Sequence, residues 1–318
     1  MKQFSKIFKK GPFEFPSISD SHPLYGRLLA EEISKLNSLP DFSEDDGVFI
    51  FSDFGGEHNG ANFTTYSFLI CSADKRMVFE KEVNDIRLKY KLNDPWKELS
   101  YKDLRYGPIK RALDDILDIA DKLIHGLLIT ISIDKNIESV FGLNKKDTHQ
   151  ELVAFLKNND LGLWKGNEAE KLLRVCHPIA IFLSVLAENG QKLLWLCDHD
   201  SINSNGNSRD FTHTQKVLVK TLPIYSDNKY ELLGFAKPFK DDAGTSDLLS
   251  LTDFTAGAIQ EVLQNELSGK NVNVTDEKGK IIRWMGTDSQ FLKKINFAFS
   301  KRDDGDWDIS NVELSAIL

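Results

Sequence analysis

The chain lacks any apolar run long enough to cross a bilayer. Its most apolar segment, residues 179–187, stops at Glu188-Asn189-Gly190, well short of the ~18 residues a membrane helix needs. Cysteine is scarce: Cys71, Cys176 and Cys197 form no CxxC or zinc-ligand spacing. Their odd count disfavours a disulfide framework and points to a reducing cytoplasm. The 20 glycines and 9 prolines are scattered, and no period of 20–50 residues recurs, which excludes fibrous, collagen-like and repeat architectures. Neither GxxxxGK[ST] nor GxGxxG occurs, so there is no nucleotide-binding loop to discuss. Lys2, Lys6, Lys9 and Lys10 near the start are followed by no apolar core or small-residue cleavage site, and the segment does not read as a secretory signal. The expectation is a cytoplasmic protein with no membrane partner.

What remains is an ordinary globular composition. With 41% hydrophobic and 28% charged residues, the 318-residue chain can bury one large α/β domain or two smaller ones. Its 48 acids against 40 Lys and Arg give a net charge of −8, which argues against a histone-like coat for DNA. That sum leaves room for a nucleic-acid enzyme with a local basic groove.

Three parts are expected: an irregular lead with one helix (1–45), a main α/β domain (46–268) and a small antiparallel β appendage (269–318). In the main domain, residues 48–53, 64–72 and 76–83 read as a three-stranded meander. A helix follows over 108–123, with Leu113, Ile116, Leu117, Ala120 and Leu123 at 3- and 4-residue spacing. Residues 127–134 and 192–198 read as buried strands, separated by helices that Pro178 is expected to kink or divide. A strand near 232–238 and a late helix over 246–267 come next, and the tail reads as strands at NVNVTD, KIIRWMG and INFAFS.

Three buried-type strands end in Asp53, Asp134 and Asp198. Parallel pairing would gather their carboxyl ends at one sheet edge, where open α/β sheets place their sites. Aspartate also starts turns, and that plainer role fits any one of the three. Asp253 is different. It sits in an apolar helix beside Leu249, Ser250, Ala256 and Gly257, where an unpaired carboxylate is costly. Asp53, Asp198 and Asp253, with Asp134 or Asp200 nearby, would supply oxygen ligands suited to Mg²⁺ or Mn²⁺ rather than zinc. Two such ions can activate water and steady the leaving oxygen of a phosphodiester. The order of elements is that of a ribonuclease H-like domain.

Over residues 46–268 the chain resembles a family of bacterial and phage domains. That family carries an Asp-Glu-Ser-Gly end to its first strand and a late Leu-Gln-Leu-Ala-Asp-Phe helix. The resemblance lies in Phe51-Ser52-Asp53-Phe54-Gly55-Gly56, the stretch Glu98 to Arg105, Cys197-Asp198-His199-Asp200, and above all Leu248 to Gly257. It implies a ribonuclease H-like fold, nuclease activity, and Asp53, Asp198 and Asp253 at the family's acidic positions. One departure matters: the acid after the first Asp is Phe54 here, and the next acid is Glu57, past two glycines. Glu98, on a loop, is a further candidate acid.

Other signals are weaker. Asp53-Phe54-Gly55 spells the kinase metal-binding tripeptide without any other kinase motif. His125, His177, His199 and His213 are isolated, and Asp303-Asp304-Gly305-Asp306 reads as a hairpin turn. Lys102, Arg105, Lys110 and Arg111, interleaved with Tyr101 and Tyr106, suit a phosphate backbone or a solvated helix face. The sequence therefore carries two functional readings. One is a Mg²⁺- or Mn²⁺-dependent phosphodiesterase acting on DNA or RNA. The other is a ribonuclease H-like module without catalysis that binds a protein or nucleic-acid partner.

Overall fold

The computed structural model describes residues 7–15, 18–94, 96–204, 209–237, 243–268, 275–302 and 304–314. In chain order the elements are β1 (Phe8–Lys10), α1 (Leu24–Ser34), β2 (Ser38–Pro40), β3 (Gly47–Gly55), β4 (Phe63–Ser72), α2 (Arg76–Tyr90), α3 (Gly107–Leu123), β5 (Gly126–Asp134) and α4 (Lys145–Asn158). They continue with α5 (Gly166–Leu186), β6 (Lys192–Cys197), α6 (Phe211–Tyr225), β7 (Leu232–Ala236), α7 (Ala243–Ser268), α8 (Asp276–Met285), β8 (Leu292–Lys301) and β9 (Trp307–Asn311).

Seven strands form one mixed sheet in the order β7-β6-β3-β4-β5-β8-β9. β3, β4 and β5 make an antiparallel unit, and β6 and β7 run parallel to β3 on its other flank. This is the ribonuclease H-like layout, extended beyond β5 by two further strands. Because β3 and β5 both oppose β4, β3, β5 and β6 point the same way, and the ends carrying Asp53, Asp134 and Asp198 share one edge. β1 and β2 form a separate two-stranded antiparallel sheet.

Each face of the sheet buries its own core. β3 shows how the alternation decides this: Val48 and Ile50 join the core under α1, α4, α5 and α6, whereas Phe51 joins the one under α2, α3, α7 and α8. Under α7 the sheet presents small polar side chains. Ser67 Oγ and Thr255 Oγ1 share a hydrogen bond of 2.6 Å between sheet and helix, so these two buried hydroxyls are satisfied.

Several expectations need correcting. Residues 76–83 are helix, not strand: Phe79, Val83 and Ile86 form the buried stripe of α2, and Met77 and Val78 face solvent. The third strand of the antiparallel unit is β5. The segment KIIRWMG also lies in a helix, α8, which buries Ile281, Trp284 and Met285 and carries Asp276 and Glu277 in its first turn, where the helix dipole favours acids. The expected C-terminal appendage is part of the main sheet: β8 pairs in parallel with β5, and β9 pairs antiparallel with β8. Of NVNVTD, residues 271–274 lie outside the described residues, as do Pro238 and Asp303. The turn between β8 and β9 is where expected, with Gly305 at φ 94°. α5 runs unbroken through Pro178. The three cysteines are buried and free. Among the described residues no helix is long and apolar enough to cross a membrane.

Candidate aspartate site

Asp53 is two residues on from Phe51, so it projects toward α7, and Phe54 projects toward α5. Just past β3 comes Gly56, whose φ of 76° suits glycine and where a β-carbon would overlap the Phe63 carbonyl. Gly55 lets the strand end approach the helix: a β-carbon there would stand 3.8 Å from that of Ala256 and 3.2 Å from Gln260 Oε1. The small ridge noticed on this helix therefore has two occupants. Gly55 lies against Ala256, and the Tyr101 ring lies on Gly257, where any β-carbon would overlap it.

Tyr101 also fixes Asp253. Its backbone N–H donates to Asp253 Oδ2 at 2.7 Å, and its hydroxyl donates to Glu261 Oε2 at 2.6 Å, about two helical turns along α7. Lys278 Nζ holds the same Glu261 oxygen at 2.7 Å. The loop carrying Tyr101 is anchored in turn by Arg87, which is fully buried. Its Nε donates to Asp247 Oδ2 at 2.6 Å and its second nitrogen to Oδ1, while Nη1 donates to the carbonyls of Leu92 and Lys97 at 3.3 and 2.9 Å. The guanidinium stacks on Trp96, 3.9 Å from the ring centroid.

Asp53 on β3 and Asp253 on α7 are both half-buried, and the Asp253 charge acts on Asp53. Neither they nor Asp198 makes a salt bridge among the described residues. Burial and then the Asp253 charge push the Asp53 carboxyl up to about 8, with Asp198 and Asp200 adding to the rise and a Phe54 backbone hydrogen bond opposing it. Asp253 is raised too, chiefly by burial, with Glu98 and Asp198 adding negative charge, against the Tyr101 N–H and the Lys102 charge.

The remaining predicted residues separate. Asp198 is exposed just past β6, and its charge is felt at both Asp53 and Asp253. Asp200 is engaged by Lys171 Nζ at 2.5 Å and by its own turn through the Ile202 N–H at 3.0 Å. Asp134 takes the plainer role: buried, it accepts the Asn136 N–H at 2.8 Å and so closes its own turn. Glu57 pairs with Lys171. Phe54 packs under that lysine, with Nζ 4.9 Å from the ring centroid, and against Tyr66 at 5.7 Å. A carboxylate at position 54 would point to the α5 face, away from Asp53. Lys171 and the Arg87–Asp247 pair were not singled out from sequence, although charges inside apolar helices were the available signal. None of the four isolated histidines is among the main charges felt at Asp53 or Asp253; His199 Nδ1 lies 3.2 Å from Lys237 Nζ.

Among the described residues no group of three His, Cys, Asp or Glu is arranged to hold a metal ion. The Asp53–Asp253 pair nevertheless fits a hard cation. Mg²⁺ is commonly held by one or two carboxylates, with waters and substrate phosphate oxygens completing the shell. Two opposed half-buried carboxylates without a cation are the donor set such an ion would satisfy.

The raised Asp53 carboxyl has a consequence for stability. Its folded value lies above the unfolded one, so between about pH 4 and pH 8 the folded chain holds a proton that the unfolded chain has released. That contribution is complete below the unfolded value and is lost as pH rises toward 8. In EDTA, urea midpoints are expected to fall across this window, with a slope of at most ~1.4 kcal/mol per pH unit. Asp53→Asn is expected to flatten the profile; an unchanged slope in the variant would place the titration elsewhere.

No family model matches the chain, and no curated protein matches it. Among solved structures, it is similar to a chain of the PCNA:RNase HII complex from Archaeoglobus fulgidus, with a TM-score of 0.34 and 12% identity. The match covers 74% of this chain and 87% of that one.

Proposed function

We propose that the protein is a divalent-cation-dependent phosphodiesterase acting on DNA or RNA, with Asp53 and Asp253 holding Mg²⁺ or Mn²⁺ and Asp198 at the open rim. One observation carries this reading: Gly55 of β3 packs on Ala256 of α7, which brings the stretches carrying Asp53 and Asp253 together, and neither aspartate forms a salt bridge among the described residues. The resemblance of the strand end and late helix to the bacterial and phage family supports the same assignment. Phe54 does not weigh against it, because that side chain faces the opposite side of the sheet from Asp53.

In this reading Asp53 and Asp253 would hold the ion, which would supply water activation and charge stabilisation at the leaving oxygen. The chain's own residues prepare the place. The Tyr101 N–H fixes one Asp253 oxygen and leaves the other free. Close packing of Gly55 on Ala256 brings together the strand end and the helix that carry the two carboxyl groups, and a bound cation would take the place of the proton that Asp53 otherwise holds. Lys171 keeps Asp200 and Glu57 engaged on the α5 side.

The test is incubation of the purified chain with single- and double-stranded DNA and RNA in EDTA, Mg²⁺ or Mn²⁺, with products resolved by size. Cleavage that requires the added cation is the expected result. That no third ligand joins the pair among the described residues favours a second reading, a binding module without catalysis. Intact substrates in every condition, with no rise in Tm on adding Mn²⁺, would establish that reading instead.

A further inference from the structure

The segment from Lys97 to Arg111 holds five cations and two acids, a net +3 in a chain whose total is −8. The structure divides these cations into two kinds. Lys97 is tied to Asp103 at 2.9 Å, and Lys110 is tied to Glu277. Lys102, Arg105 and Arg111 are exposed and, among the described residues, form no ion pair and no side-chain hydrogen bond.

Their placement is ordered. Lys102 follows Tyr101, the residue that caps Asp253, and its charge is felt at that carboxylate. Arg105 comes next, near enough to Lys110 for its charge to act there. Arg111 turns back over the first turn of α3, with a guanidinium nitrogen 3.3 Å from where a Gly107 β-carbon would stand. Between Arg105 and Gly107 lies Tyr106, 49% exposed, with Lys97 Nζ 5.3 Å from its ring centroid. The base beneath is firm, since Leu104 and Ile109 are both buried. The 17-residue helix α3 adds the positive end of its dipole at this point.

A row of three unpaired cations with an exposed ring among them, starting beside the Asp253 carboxylate, has a chemical use. The aspartates alone would turn a phosphate backbone away, and the row supplies the attraction they lack. We propose that Lys102, Arg105, Tyr106 and Arg111 form the track by which a single nucleic-acid strand reaches the Asp53–Asp253 notch, phosphates on the cations and one unpaired base on Tyr106. This deepens the phosphodiesterase reading and rests on it for the direction of the strand, but strand binding is measurable without cleavage.

The experiment is fluorescence anisotropy of labelled single-stranded DNA and RNA oligonucleotides over a salt series, with Ca²⁺ present and again in EDTA. The variants are the triple Lys102→Ala/Arg105→Ala/Arg111→Ala, Tyr106→Ala, and a control triple on the opposite face, Lys146→Ala/Lys216→Ala/Lys220→Ala. Circular dichroism confirms that each folds. The track triple is expected to bind at least ~10-fold more weakly at 0.1 M salt and to flatten the salt slope by about 2, near 0.7 per lost phosphate contact. Tyr106→Ala is expected to weaken binding about 5- to 100-fold with the slope unchanged, as loss of a stacking platform does. The control triple should match wild type. Unchanged affinity and slope in the track triple, an equal loss in the control, or no binding by wild type would each overturn the proposal. The two readings fail separately. Weakened binding in the triple, with no cleavage by wild type in Mn²⁺, leaves the track and removes the enzyme. Cleavage by wild type with unimpaired binding in the triple leaves the enzyme and removes the track.

Discussion

Asp253→Asn is expected to lower Mn²⁺-dependent cleavage by more than ~100-fold while leaving the chain folded. Partners one shell beyond a metal ligand already cost about 10–100-fold when removed, so a ligand itself should cost more. The substitution is nearly isosteric, and an amide oxygen can still accept the Tyr101 N–H that the carboxylate accepts at 2.7 Å. What it removes is the charge facing Asp53. Two readouts should therefore move in opposite directions. Activity collapses, with the loss in kcat rather than KM if substrate binding lies elsewhere. Metal-free stability at pH 7–8 does not fall, because the repulsion that lifts the Asp53 carboxyl is relieved. Cleavage that persists in Asp253→Asn would mean that another site, or a contaminant, does the work.

Arg87→Met is expected to cost about 3–5 kcal/mol in urea unfolding, the range for removing one partner of a buried ion pair. Both side chains of the Arg87–Asp247 pair have no solvent exposure, and the guanidinium also serves two loop carbonyls. Replacing Asp247 as well, in Arg87→Met/Asp247→Asn, should recover part of the loss, because no uncompensated charge then stays buried. The segment from Leu92 to Tyr106 should exchange amide hydrogens faster than α3 in either variant. A single variant with wild-type stability would show the pair to be dispensable, and Tyr101 to be held by α7 alone.

The sheet was legible where a strand is buried on both faces. The runs ending at Asp53, Asp134 and Asp198 needed no tertiary information, and α7 declared itself by its apolar girth. α2 did not. Met77, Val78 and Phe79 read locally as a strand, and the 4- and 3-residue steps from Phe79 to Val83 to Ile86 show only when the window is extended to Tyr90. α8 misled for a similar reason, since Ile281, Ile282 and Trp284 crowd together in a short segment. The place of β8 beside β5 was beyond reach, because pairing between strands some 160 residues apart leaves no local mark. At the candidate site, Asp53 and Asp253 stood out as a strand end and as an acid in an apolar helix. The same reasoning named Asp134, whose carboxylate accepts the Asn136 N–H; a turn-closing carboxylate and a ligand look alike until hydrogen bonds are seen. The Tyr101 N–H was invisible for a plain reason: any residue can offer a backbone donor, so the sequence holds no trace of it.

The placement of Asp253 on α7 also sets a timetable for synthesis. Asp53 is translated early and Asp198 long after, yet the carboxylate that opposes Asp53 emerges only with residue 253, when most of the sheet has left the ribosome. Domains acquire structure from the N-terminal side as they are made. A nascent or truncated chain that stops before α7 therefore has β3 without its opposing acid, Arg87 without its partner and Tyr101 without its support. The pair is a property of the finished polypeptide, and interrupted translation yields fragments that cannot assemble it.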